Sequence, residues 1–175
     1  MEFIRKKIEV EEPDKVRIIR QDGHAGVSGL PTGGLILLIG LPGSGKSAMG
    51  ERLAGKLGLP FVQLPARDAA TALEALVAAG PAVVEVPHKL LTNADMRVRI
   101  QASGRVIYLM ANVGALTRRL AKTPDDTPAT LALRDSLGQL MSAFEPLFMQ
   151  TLHLLVPADG PLDEVEAMAL ERVQL

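Results

Sequence analysis

The chain has 175 residues, enough for one domain with a sizeable core, and its 47% hydrophobic and 22% charged residues are ordinary for a globular protein. Its formal net charge of −1 gives no electrostatic reason to expect direct binding to nucleic acid or to an anionic membrane. Cysteine is absent, which excludes disulfides, thiolate zinc sites and cysteine nucleophiles.

Residues 1–33 form a distinct N-terminal extension in the sequence. Two β-leaning stretches, FIRKKIEV and KVRIIR, flank the turn signal EEPD, and the glycine-rich connection QDGHAGVSGLPTGG follows them. We predict a β-ribbon and linker here, with an arm for a protein partner or for self-association as the alternative. The extension lacks the apolar core of a signal peptide, and no apolar run reaches the about 18 residues of a membrane helix, so we expect a cytoplasmic protein.

Residues 34–175 alternate short apolar runs with helical patterns. The runs LILLI, PFVQL, AVVEV, RVIYLM and LHLLV are typical of strands buried in a parallel sheet. Gly58, Gly80 and Gly104 follow three of the helical patterns, at the place where a glycine commonly ends a helix. Five such strands with intervening helices predict a three-layer α/β/α domain with right-handed crossovers.

The stretch GLPGSGKS, residues 40–47, follows the first predicted strand and opens the first predicted helix. It fits the P-loop pattern G-x-x-x-x-G-K-[ST], in which glycines let backbone N–H groups face phosphate oxygens. We predict that Lys46 acts in catalysis by placing a cation at the β- and γ-phosphates, and that Ser47 offers its hydroxyl to Mg²⁺. The predicted nucleotide contacts in and beside this stretch are Gly40, Pro42, Gly43, Ser44, Gly45, Lys46, Ser47 and Ala48.

Glu85 is the only carboxylate inside any of the predicted apolar strands. A charge in such a run is costly unless it has a partner or reaches water. P-loop sites often place an acidic residue at the end of a neighbouring strand, where it helps to hold the metal. We therefore predict that Glu85 joins Ser47 as a direct or water-mediated Mg²⁺ contact. The alternative is a carboxylate at the edge of its strand that pairs with a lysine or arginine.

The stretch GLPGSGKSAMGERLAGKLGLPFVQL resembles the opening of the shikimate kinase family. The likeness continues through AAGPAVVEV, SGRVIYLMANVGALTRRLA and FEPLFMQTLHLLVPADGPLDEVEAM, and it covers most of residues 35–173. The resemblance implies a P-loop kinase fold, a parallel sheet of order 2-3-1-4-5 and ATP as the nucleotide. It also implies that the base lies between Pro161 and one of two arginines, Arg118 or Arg119.

The chain departs from the family's pattern where that family binds its acceptor. An Asp-x-Asp pair after the second strand is missing, and the segment that forms most of the shikimate-binding subdomain is deleted or severely cut. A Gly-Gly-Gly turn after the third strand, a lid arginine before a proline and an arginine for the shikimate carboxylate are missing as well. The residues found instead are Gln63 to Pro65, Pro87 to Lys89, Thr127 and Phe144. These five departures predict a small-molecule substrate other than shikimate.

His88 follows the third predicted strand, at the edge where doubly wound sheets bind ligands, and we predict it as the catalytic base. An ordinary exposed loop histidine is the alternative. Arg67 and Asp68 begin the second predicted helix and are candidate acceptor contacts. Helix capping and a solvated face are the alternative for these two residues.

Two functions stay open at this point. One is phosphoryl transfer from Mg·ATP to an unidentified small molecule, and the other is a catalytically weak or inactive nucleotide- or ligand-binding module with a regulatory role. A GTPase-like switch fits less well, because the chain has no N-K-x-D motif for guanine. The space beside the γ-phosphate distinguishes phosphoryl transfer from the binding module, because phosphoryl transfer is excluded if Phe144, Phe148 and Met149 fill that space.

Overall fold

A computed structural model describes residues 34–174, so the extension predicted for residues 1–33 lies outside the described residues. Strands and helices alternate through the described part. They are β1 (Leu35–Ile39), α1 (Lys46–Leu57), β2 (Phe61–Gln63), α2 (Ala69–Ala79), β3 (Val83–Glu85), a 3-10 helix (His88–Thr92), α3 (Ala94–Ser103), β4 (Gly104–Met110), α4 (Val113–Leu120), α5 (Pro128–Thr151), β5 (Leu154–Pro157) and α6 (Leu162–Gln174).

All five strands pair in parallel, in the order β2-β3-β1-β4-β5, which confirms the predicted fold and strand order. Helices α1 and α6 pack together, while α2 contacts α3, α3 contacts α5, and α5 contacts α4. Right-handed crossovers place these two groups on opposite faces of the sheet. The central strand β1 is buried along its whole length, as a strand covered on both faces must be. No helix in residues 34–174 is both long and apolar enough to span a bilayer.

All three glycines predicted to end helices directly follow one. Gly58 has a left-handed conformation, with φ at 65°, and donates its N–H to the carbonyl of Ala54. Gly80 donates to the carbonyl of Leu76 after α2. Gly104 follows α3 as its C-cap residue and is also the extended first residue of β4, where a Cβ would lie 2.1 Å from the carbonyl oxygen of Leu35. Close packing of β4 against β1, and not a helix cap, requires a glycine there.

The parallel register brings the ends of three strands to one edge of the sheet. Glu85 pairs with Leu38 of β1 on one side and with Gln63 of β2 on the other. The P-loop follows β1 at this same edge, so the last residues of β2 and β3 lie beside it. This edge is where open α/β sheets bind their ligands.

Candidate functional site

The P-loop lies between β1 and α1, and three of its glycines have positive φ: 154° at Gly40, 83° at Gly43 and 90° at Gly45. At Gly40 a Cβ would lie 2.7 Å from the Ser44 Oγ and 2.9 Å from the Leu109 carbonyl oxygen, so the loop there approaches β4 closely. Gly45 immediately precedes the first residue of α1. A left-handed glycine at a helix start turns N–H groups outward, which forms a cradle for an anion.

Lys46 spans the cradle from the first turn of α1. Its Nζ donates to the carbonyl oxygens of Gly40 at 2.9 Å and Leu41 at 3.0 Å, and only 8% of the residue is exposed. Burial lowers the pKa of Lys46, and the nearby Glu85 carboxylate opposes that shift. Two neutral carbonyl groups therefore hold the ammonium group beside the loop. A bound phosphate would offer it a charged hydrogen-bond acceptor in their place.

The hydroxyl of Ser44 supplies an independent indication that this loop takes a ligand. Its Oγ is buried beside Gly40 and has no hydrogen-bond partner among the described residues. Burying an unpaired polar group costs free energy, and such groups in folded proteins call for an explanation. Together with the glycine backbone and Lys46, the unpaired hydroxyl fits a loop built around a polyphosphate.

Ser47 and Glu85, which we predicted as metal contacts, lie together. The Ser47 Oγ donates to the Glu85 Oε2 at 2.7 Å, and the Gln63 Nε2 donates to the same oxygen at 3.1 Å. No lysine or arginine forms an ion pair with Glu85 among residues 34–174, so the alternative of a paired edge carboxylate is not what the structure has. Sequence reasoning missed Gln63 as a partner, because that contact depends on the register of two parallel strands.

A cavity of about 240 Å³ adjoins the P-loop on the side of α4 and the loop between β5 and α6. Arg119 joins these parts, because its guanidinium donates to the carbonyls of Gly43, Ala158 and Gly160. The cavity has one cationic wall and otherwise a mainly apolar lining, suited to a flat heterocycle. It is lined by Ser44, Gly45, Ala48, Met49, Arg119, Ala158, Gly160, Leu162 and Val165.

The structure separates the two arginines that the sequence left as equals. Arg119 lines the cavity beside the P-loop, whereas Arg118 lines a different polar cavity, between α4 and the start of α5, together with Asp125 and Arg134. Pro161 lies between two residues that line the first cavity, and its carbonyl accepts N–H groups from the first turn of α6. Sequence reasoning missed the carbonyls that hold Arg119, because backbone acceptors leave no signal in a sequence.

His88 is the first residue of the 3-10 helix that follows β3. Burial, and then the charges of Lys46 and Lys89, lower the pKa of His88. Its imidazole is therefore neutral near pH 7 and retains a nitrogen lone pair. The ring meets the Phe144 ring edge-on, at a centroid separation of 4.9 Å and an interplanar angle of 73°.

Phe144, Phe148 and Met149 do not act together beside His88. Phe144 and Phe148 are buried with their ring centroids 6.0 Å apart, whereas the Met149 side chain is largely exposed. Phe144 therefore packs beside His88 as part of the core, and Met149 does not share that position. Arg67 and Asp68 are exposed, and Asp68 is the only residue other than glycine with positive φ among residues 34–174.

The chain matches no protein-family model. It is 26% identical over 164 residues to shikimate kinase 2 of Sodalis glossinidius, an alignment that covers 79% of this chain and 94% of that protein. It is 30% identical over 149 residues to the shikimate kinase of Paracidovorax citrulli, covering 69% of this chain and 80% of that protein.

Solved structures with the same fold include kinases of different substrates. A shikimate kinase from Acinetobacter baumannii, in complex with shikimate, superposes with a TM-score of 0.66 at 19% identity, covering 87% of this chain and 97% of that one. A gluconokinase from Sinorhizobium meliloti 1021 superposes with a TM-score of 0.54 at 22% identity, covering 82% of this chain and 93% of that one. At these identities the superpositions establish the fold alone.

Proposed function

The chain belongs to the shikimate kinase family, and from that membership we propose that it transfers a phosphoryl group from Mg·ATP to a hydroxyl of a small molecule other than shikimate. ATP-dependent, kinase-like activity follows from its similarity to the curated shikimate kinases. The contacts of Lys46, Ser47 and Glu85 at one edge of the sheet carry the proposal, because they place a cation, a hydroxyl and a carboxylate where a P-loop presents phosphates.

On this proposal the P-loop glycines and Lys46 bind the phosphates of ATP, and the cavity beside Arg119 takes the base. The hydroxyl of Ser47 and the carboxylate of Glu85 would hold Mg²⁺, an ion that prefers oxygen ligands and keeps several of its waters. When bound, that ion supplies charge neutralisation at the phosphates. Gln63 keeps the Glu85 carboxylate oriented towards Ser47 through the hydrogen bond between their side chains.

His88 is the proposed catalytic base. Its neutral imidazole accepts the proton of the acceptor hydroxyl while Lys46 holds the phosphates in place. As the new oxygen–phosphorus bond forms, the bond from the γ-phosphorus to the bridging oxygen breaks, and ADP leaves with its electron pair. Positioning and charge stabilisation account for most of the rate enhancement in such reactions, and Lys46 and Arg119 are the cations nearest the phosphate cradle.

The second candidate is a catalytically weak or inactive nucleotide-binding module with a regulatory role. The buried ring of Phe144 against His88 favours it, because an imidazole packed on an apolar ring has fewer directions from which a hydroxyl can approach. The two candidates agree on ATP binding and differ only in turnover.

Calorimetry and an ADP-release assay together test both candidates. We expect the wild-type chain to bind Mg·ATP and to release ADP with at least one member of a panel of hydroxylated small molecules. The Lys46→Met variant should bind Mg·ATP at least about tenfold more weakly, since it removes a charge-assisted contact to phosphate. Lys56→Met is the matched control, because Lys56 is an exposed lysine of the same helix.

Each outcome decides something. Equal affinity of wild type and Lys46→Met would reject the nucleotide site at the P-loop. Tight binding of Mg·ATP with no ADP release across the whole panel would reject phosphoryl transfer and leave the binding module.

A further inference from the structure

We infer that the polar cavity between α4 and the start of α5 is a second anion site, which takes a phosphate group through Arg118 and Arg134. The inference goes beyond the proposed kinase function, because this cavity includes no residue of the P-loop and none that lines the base cavity.

Two helices and the loop between them build this cavity, whose volume is about 170 Å³. Its helical lining residues lie three or four positions apart, and so share one face of each helix. They are Gly114, Thr117 and Arg118 on α4, and Thr130 and Arg134 on α5. Asp125 of the connecting loop completes the lining, so the cavity has two guanidinium groups, one carboxylate and an excess of positive charge.

Neither arginine of this cavity is engaged elsewhere. Within residues 34–174, the guanidinium groups of Arg118 and Arg134 form no ion pair and no hydrogen bond. Asp125 lines the same cavity, yet none of its oxygens lies within 4.0 Å of either group. Arg119, the next residue along α4, differs because its guanidinium donates to three carbonyls. Two arginines at one cavity therefore keep their N–H donors available for a ligand.

The position of Arg118 also favours an anion. A Cβ at Gly114 would lie 3.5 Å from the Arg118 Nη1, so the guanidinium folds back along α4 to its first turn. Gly114 is the second residue of α4 and Thr130 is the third residue of α5, so the N-terminal ends of two helices border the cavity. The helix dipole adds partial positive charge at such an end, which supports the two arginines.

Threonine hydroxyls hold the cavity in shape without a ligand. The Thr123 Oγ1 lies 2.8 Å from the Thr127 Oγ1 and 2.9 Å from the Thr130 Oγ1, which ties the loop around Asp125 to the start of α5. Thr117 donates its hydroxyl to a backbone carbonyl within α4. A phosphate group would therefore enter a preformed cavity, which reduces the ordering cost of binding.

The donor set selects a phosphate group among small anions. A guanidinium presents a planar fork of N–H groups that matches two phosphate oxygens, so two such groups can hold one tetrahedral dianion. A carboxylate offers only two oxygens and one charge for the same two forks. Both arginines are exposed, so the cavity accepts free phosphate or the phosphate group of a small ester by the same contacts.

Calorimetric titration of inorganic phosphate into the full chain tests the inference. The chain is first saturated with Mg²⁺ and a non-hydrolysable ATP analogue, so that phosphate cannot bind at the P-loop. If the analogue does not bind, the Lys46→Met variant is titrated instead, so failure of the proposed nucleotide site leaves this test intact. We expect saturable binding at millimolar phosphate.

Substitutions in the cavity assign that binding to the arginines. Arg118→Ala and Arg134→Ala should each weaken phosphate binding at least about tenfold, because each removes a charge-assisted contact. Arg134→Lys keeps the charge without the fork and should recover part of the loss. Asp125→Asn should tighten binding, since it removes a carboxylate that repels the ligand. Arg172→Ala is the matched control, because it removes an exposed arginine of α6, and it should change the dissociation constant less than twofold.

Three results overturn the inference: no saturable binding of phosphate, equal weakening by Arg118→Ala and Arg172→Ala, and tighter binding of acetate than of phosphate. Methyl phosphate as a second titrant distinguishes the sources of the ligand. An affinity equal to that of inorganic phosphate or higher supports a phosphate ester, and an affinity at least tenfold lower supports the free ion.

Discussion

The carboxylate of Glu85 lies at the end of a buried strand and accepts hydrogen bonds from two neutral donors, and it forms no ion pair with a lysine or arginine among the described residues. A carboxylate oxygen next to the Ser47 hydroxyl is the kind of ligand that an ion of Mg²⁺ type prefers. Because Glu85 and Gln63 are register partners on parallel strands, their side chains are neighbours on one edge of the sheet. The two substitutions Glu85→Gln and Gln63→Glu together would therefore move the carboxylate from β3 to β2.

We predict that Glu85→Gln raises the Mg²⁺ concentration required for half-maximal ATP binding by about tenfold, because it removes the anionic oxygen at the proposed metal position. Calorimetric titration of ATP at increasing Mg²⁺ measures this. The double variant Glu85→Gln with Gln63→Glu restores a carboxylate at the register partner and should recover part of the loss. A Mg²⁺ requirement unchanged in Glu85→Gln would show that the carboxylate takes no part in metal binding.

At the scale of elements, the approach of α1 to the sheet depends on a glycine. A Cβ on Gly50 would lie 2.2 Å from the Cε2 of Phe61, the first residue of β2. A Cβ on Gly55, one and a half turns further along the same helix, would meet nothing within 4 Å. The two glycines therefore differ in their importance for packing. Gly50 permits close contact between a helix and a strand, whereas Gly55 has no packing role in the described part of the chain.

We predict opposite effects for alanine at these two positions. Gly50→Ala should destabilise the fold by about 1 to 3 kcal/mol, because the added methyl group overpacks the contact with Phe61. Gly55→Ala should stabilise it by up to about 1 kcal/mol, because alanine favours a helix more than glycine does. Urea unfolding followed by circular dichroism gives both values. Equal effects of the two substitutions would contradict the close approach of α1 to β2.

The sequence predicted features that depend on neighbouring residues in the chain. It did not predict features that depend on the direction in which a side chain points in the folded protein. The strands were predicted because each is a continuous apolar run, and the P-loop because its pattern lies between a strand and a helix. The same reasoning could not choose between Arg118 and Arg119, since neighbouring residues of a helix point about 100° apart and only the packing of α4 decides which faces the P-loop. It also could not find the contact of Phe144 with His88, which depends on how α5 crosses the sheet edge.

At the scale of the whole molecule, Arg119 connects parts of the chain that lie far apart in sequence. Its guanidinium reaches from α4 to the P-loop after β1 and to the loop after β5. Strands β1, β4 and β5 are neighbours in the sheet, so one side chain fixes the relative position of the loops at three strand ends. The proposed base cavity is therefore a property of the assembled sheet and not of any single motif.

We predict that Arg119→Ala weakens ATP binding at least about tenfold, because it removes charge-assisted hydrogen bonds that hold both loops around the base. Arg118→Ala is the matched control, since it removes the same group from the neighbouring position and should change the dissociation constant less than twofold. Fluorescence titration with a labelled ATP analogue, confirmed by calorimetry, measures both. A larger effect for Arg118→Ala would place the base in the other cavity.

The aromatic row of Phe144, Phe148 and Tyr108 belongs to the hydrophobic core, and its first member also contacts His88, the proposed catalytic base. Folding stability and the surroundings of that base then depend on the same side chains. A variant that gains a new acceptor by changing Phe144 weakens its own core in the same step, so a lineage changing substrate here would need stabilising changes elsewhere first. Directed evolution of this chain towards new acceptors should accordingly succeed more often from a thermostabilised parent, such as one that carries Gly55→Ala.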